Sequence, residues 1–110
     1  MANRYVSFYE DSSHILHASP DPLYVNPGDQ VIWTNGMSGE YRVTNFSPTL
    51  PALFSSGSID LPGNNASAPA TVQANPAPGT SVAYSYACVP VLPTAQALDP
   101  IIIVETPGGG

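Results

Sequence analysis

Few residues in this chain can do chemistry: one cysteine, two histidines, eight carboxylates and two arginines among 110 residues. Cys88 sits where the β-forming run YSYACV gives way to the loop sequence PVLP. A thiolate there could attack a substrate or bind a soft metal, and either role needs partners. His14 and His17 form H-I-L-H, with Glu10 and Asp11 close by. On a helical turn, histidines at i and i+3 share a face and could hold zinc or copper. This segment reads as extended, where those positions face opposite sides, so both imidazoles are expected at the surface. Met37 is a soft ligand in principle, but its glycine-flanked loop suits packing better. Asp29 and Asp60 read as turn residues rather than an acid–base pair. No Ser-His-Asp arrangement, H-E-x-x-H, G-x-S-x-G or P-loop is present, and no enzymatic activity is expected.

The elements that must position these groups are all strands. RYVSFYE (Arg4 to Glu10) alternates and is rich in β-formers, and SSHILHAS (Ser12 to Ser19) is a weaker candidate. LYVNPGDQVIWTNG holds two extended runs around an Asn-Pro-Gly-Asp turn, with Val31 and Trp33 on one face. Trp33 is therefore expected in the core. YRVTNF follows, then an irregular stretch from Ser47 to Pro62 with a short strand near Ser58 to Leu61, and ATVQAN. TSVAYSYACV puts Val82, Tyr84, Tyr86 and Cys88 on one face, and PIIIVE, apolar up to Glu105, reads as a central strand. Thirteen prolines and nine glycines supply the turns. The expectation is an all-β antiparallel sandwich of seven to eight strands, one domain over 1–105, with a flexible glycine-rich tail over 106–110.

The order of these pieces resembles the cupredoxins, the plastocyanin and azurin class. VNPGDQVIWTN is similar to the family's V-x-x-G-D-x-V-x-W-x-N strand pair, and YRVTNF falls where the family has H-N-V-x-F. PGTSVAYSYAC is similar to G-x-Y-x-Y-x-C, and PIIIVE to the closing G-x-I-x-V strand. The resemblance covers roughly Val25 to Glu105 and implies a single Greek-key β-sandwich. It also implies a copper site of two imidazoles, a thiolate and an axial thioether. Here Tyr41 stands at the first histidine's position, and Val91 lies in the stretch after Cys88 where the second is expected. Leu98 lies in the stretch that would carry the methionine. Only Cys88 remains. A mouth lined by Tyr41, Val91, Pro93 and Leu98 would be apolar and would raise the thiol's pKa. A copper-free cupredoxin-like module, with no cofactor, is the expectation.

Composition narrows the partners. Charged residues are 9%, there is no lysine, and the net charge is −6. Nucleic acids and anionic membranes call for clustered cations, so neither is expected. No apolar run approaches the roughly 18 residues of a membrane span. One cysteine excludes an intrachain disulfide. MANRYVSF has neither a basic start nor an apolar h-region, which fits a cytoplasmic chain or one secreted with its leader removed. Asn45-Phe-Ser and Asn65-Ala-Ser match the glycosylation acceptor pattern. Tyr5, Ser7 and Tyr9 share one face of the first strand; the tyrosines are either half-buried there or form, with Ser7, the candidate interaction surface. A surface without lysines to blunt its strand edges suits self-assembly, as a homo-oligomer or within a larger protein complex. Two alternatives remain open. One is a redox or copper protein with a rearranged site using Cys88 with His14 or His17. The other is a small-ligand binder using the vacated apolar copper pocket.

Overall fold

Alternation along each strand decides which side chains meet. The computed structural model describes residues 2–13, 16–90 and 100–107. In β1 (Asn3–Glu10) Val6 and Phe8 point inward, while Tyr5, Ser7 and Tyr9 point out. In β4 (Gln30–Asn35) Val31, Trp33 and Asn35 are buried, as period-two patterning requires. Between them come β2 (Leu16–Ser19) and β3 (Leu23–Val25). β5 (Tyr41–Ser47), β6 (Ser58–Leu61), β7 (Ala70–Thr71), β8 (Ser81–Pro90) and β9 (Ile101–Glu105) follow, so nine strands are seen among the described residues where seven to eight were expected.

The strands form two sheets in a sandwich-like arrangement, with orders β2-β1-β4-β7 and β3-β9-β8-β5-β6. Both sheets are mixed, which corrects the expectation of an antiparallel sandwich: β1 runs parallel to β4, and β3 parallel to β9. The cause is a change of sheet at the Asn26–Asp29 turn. β3 belongs to one sheet and β4 to the other, so the turn is a corner and not a hairpin. Gly28, at φ 87°, supplies the left-handed residue that the corner needs. The Asp29 carboxylate accepts the Asn26 N–H at 2.9 Å and closes it. Asp29 is thus a turn residue, as expected, whereas Asp60 lies within β6.

One apolar core fills the space between the sheets, with Trp33, Phe8, Leu53, Leu61, Tyr84, Tyr86 and Ile102 among its large members. The Trp33 indole donates to the Tyr86 hydroxyl at 3.1 Å, which satisfies its one polar atom without water. β9 is interior in its sheet, but only Ile102 and Val104 are buried. Its other face, with Ile101 39% exposed, looks outward. Thr106 extends past β9 and exchanges backbone hydrogen bonds with Gly79 and Thr80 at 2.9 and 3.1 Å. The remainder of the expected tail, 108–110, lies outside the described residues.

Every edge strand is short: β2 has four residues, β3 three, β6 four and β7 two. Each is also bounded by proline: Pro20 after β2, Pro22 before β3, Pro62 after β6 and Pro69 before β7. Short, proline-stopped edges limit strand addition as effectively as lysines do. No helix among the described residues is long and apolar enough to cross a membrane.

Candidate functional site

Two candidate sites emerge, and they lie on opposite sides of the chain's alternation. The first is internal. β5 and β8 pair so that Val43 faces Cys88 and Tyr41 faces Pro90. Tyr41, Val43 and Cys88 are all buried, so the structure brings Tyr41 and Cys88 onto one inward face. Burial pushes the Cys88 thiol up to about 12. Burial also raises the Tyr41 phenol, helped by the negative charges that Cys88 and Glu10 would carry nearby. At neutral pH both are therefore uncharged, and Cys88 packs like a small hydrophobe. Val91 and Leu98, the other two positions of the expected vestigial site, lie outside the described residues.

The histidines do not complete this site. His14 lies outside the described residues. His17, on β2, pairs in register with Tyr9 and stacks on its ring at 5.3 Å with an interplanar angle of 23°. Its Nε2 lies 2.7 Å from the Asp11 carboxylate. Tyr9 is on the outward face of the first sheet, whereas Cys88 faces inward from the second. His17 and Cys88 thus cannot share an ion in this fold. Among the described residues, no group of three or more His, Cys, Asp or Glu is placed to hold a metal. Neither Tyr41 nor Cys88 lines the clefts beside Phe46, beside Glu105 or beside Asp60.

The second candidate is the outer face of the first sheet. Register places Tyr5 beside Ile32, Ser7 between Thr34 and Ser19, and Tyr9 beside His17. The Thr34 hydroxyl donates to Ser7 Oγ at 3.1 Å, which fixes two strands side by side on this face. Gln30 and Thr71 continue it across β4 and β7. No lysine, arginine, aspartate or glutamate occupies these outward strand positions. Tyr5 is 54% exposed and Tyr9 42%. β1 is flanked by strands on both sides, so these tyrosines offer a face and not an edge. The alternation of RYVSFYE made this face legible from sequence. Sequence reasoning missed the outer side of β9, with Ile101 exposed and Ile103 half-buried, because an apolar run carries no alternation to read.

The carboxylates have local roles. Asp29, almost fully buried, accepts from the Ala2 and Asn26 N–H groups at 3.0 and 2.9 Å and from Arg4 Nε at 3.1 Å. Burial alone would raise its pKa, but the two backbone bonds and Arg4 outweigh that and hold it below the usual 3.8. Asp60 pairs with Arg42 at 3.4 Å on the exposed side of β5 and β6. Of the acceptor-pattern asparagines, Asn45 and Asn65 are both exposed, while Ser67 is buried with its hydroxyl accepting the Trp33 N–H at 3.0 Å. No protein-family model matches the chain, and no curated protein matches it.

Proposed function

We propose that this chain is a copper-free module of cupredoxin type that works by protein docking, and that its partner is a second copy of itself. The carrying observation is the outer face of the first sheet, centred on Tyr5, Ser7 and Tyr9, whose strand positions hold no Lys, Arg, Asp or Glu. A chain of net charge −6 repels its copies wherever carboxylates approach. The outward strand positions of this face bring no carboxylates together, and the one carboxylate at its end, Asp11, is paired with His17 at 2.7 Å. Tyrosine suits such a contact because it buries a large ring and keeps a hydroxyl for hydrogen bonding. The face replaces the strand edges as the route of assembly, since the edges are short and bounded by proline.

The copper-free reading is supported by Tyr41 beside Cys88 and by a thiol held neutral. A lone neutral thiol next to a phenol offers no chelate. The family assignment rests on the order of the strands and on the four matching segments. It implies a Greek-key path for the sandwich.

Sedimentation across a concentration series tests the docking reading. The native chain should associate, and Ser7→Lys should weaken association by at least tenfold, because the contact would have to desolvate a charge. Ser85→Lys, on the outward side of β8 in the other sheet, should leave it unchanged. A chain that stays monomeric at every attainable concentration would refute the reading. So would equal effects of the two lysines.

A further inference from the structure

The aromatic residues of the core form a connected chain of rings, and that chain ends at a cleft. Trp33 meets Phe54 edge-on at 5.6 Å, and Phe54 meets Phe46 edge-on at 5.3 Å. Trp33 and Phe54 are buried, but Phe46 is only partly so. Beside Phe46 and Phe54 lies a cleft of ≈370 Å³, between the end of β5 and the segment that follows it, with no charged side chain in its lining.

A bulge builds this arrangement. β5 advances three residues from Thr44 to Ser47 while β8 advances two from Ala87 to Ser85. The extra residue is accommodated at Asn45, whose φ is 57°. The inward alternation therefore shifts, so that Phe46 packs toward the core and Asn45 sits on the cleft. The exposed residues Asn45, Thr49 and Ser55 line the cleft, and their side chains make no hydrogen bond to protein among the described residues. The Thr44 hydroxyl, by contrast, is spent on the Gly57 carbonyl at 3.2 Å.

The geometry points to a binding site for a neutral aromatic ring carrying a hydroxyl group: a phenol, free or as a tyrosine side chain in a peptide. A further ring would extend the edge-to-face series beyond Phe46 and Phe54. The cleft has the volume for it, since a cavity of about 150 Å³ already holds benzene. An uncharged lining gives no partner to an ionised ligand, whose desolvation would go uncompensated. An amide and two hydroxyls both donate and accept, which matches a phenolic hydroxyl that does the same. This site is separate from the docking face, which lies on the other sheet.

Titration of the full chain with p-cresol and with N-acetyltyrosinamide tests the site, followed by the amide NMR resonances of 44–57 and by Trp33 fluorescence. Saturable shifts confined to 44–57 are expected. N-acetyltyrosinamide should bind about fivefold more tightly than N-acetylphenylalaninamide, the value of one neutral hydrogen bond. Asn45→Gly keeps the left-handed backbone and removes the amide. It should weaken both phenols about fivefold while the tyrosine-to-phenylalanine preference shrinks, and Thr49→Val serves as a second variant at an exposed position. A peptide source is indicated if N-acetyltyrosinamide outcompetes p-cresol, and a free phenol if the order reverses. The proposal is overturned if no saturable shift appears at any soluble concentration. It is equally overturned if the phenylalanine compound binds as well, or if neither variant changes affinity.

Discussion

Replacing Asp29 with asparagine should cost the fold about 1.5–4 kcal/mol at neutral pH and abolish a specific part of its acid sensitivity. The carboxylate is buried and accepts three hydrogen bonds: Oδ1 from Ala2 N–H, and Oδ2 from Asn26 N–H and Arg4 Nε. Asparagine retains one oxygen, so its NH₂ must confront at least one of these donors. A lost charge-assisted bond to the Asn26 N–H is worth about 1.5–3 kcal/mol. The Arg4 pair adds about 0–1 kcal/mol, because the Arg4 side chain is 40% exposed and screened by solvent. That sum is a large share of the roughly 5–15 kcal/mol available to a domain. The pH dependence follows from the sign of the shift. The folded pKa lies below the ordinary 3.8, so the stabilisation is fully present above 3.8 and is lost as pH falls through the folded value. Urea denaturation of the native chain and Asp29→Asn, repeated from neutral to strongly acidic pH, isolates this contribution as the difference between two curves. The gap should be widest at neutral pH and close in acid. A gap independent of pH would mean that the ionised carboxylate is not what the corner uses.

Other changes have equally definite outcomes. Trp33→Ala should cost about 3–5 kcal/mol, read from the denaturation midpoint, because it removes a fully buried ring and orphans the Tyr86 hydroxyl; an unchanged midpoint would show that the indole is not an anchor. Cys88 should react with thiol reagents far more slowly in the native than in the unfolded chain, since it is buried and its pKa stands at about 12. Because this shift is upward for an acid, the stability tied to Cys88 is intact below the ordinary 9.0 and falls as pH rises toward 12. Comparison with Cys88→Ala in alkaline denaturation separates it from the raised tyrosines, and an identical alkaline profile would contradict the burial. Adding Cu(II) should give no intense blue thiolate band; a band lost in Cys88→Ala would overturn the copper-free reading.

Much of the fold was written locally. The alternation of RYVSFYE, QVIWTN and the run from Val82 to Cys88 fixed which side chains turn inward, since neighbouring residues of a strand must face opposite ways. That is why the buried Trp33 and Cys88 and the shared face of Tyr5, Ser7 and Tyr9 were legible before any pairing was known, whereas the exposure of that face was not. The Asn26–Asp29 corner was likewise encoded by its own residues, through the fixed φ of proline and the freedom of glycine. Pairing partners were not legible, because a strand's neighbour depends on the path of the whole chain. Only the tertiary structure decided that β3 and β4 belong to different sheets and that β1 and β4 run parallel. It also decided that the apolar run of β9 buries Ile102 and Val104 alone. The same holds for function. Sequence set Cys88 and His17 close enough in chemistry to suggest a shared ion, and the fold put them on opposite faces of different sheets. Local sequence gave no warning of the bulge at Asn45, because an extra residue in β5 is defined only against β8. That one non-local mismatch turns Phe46 inward and puts Asn45 outward, beside the cleft.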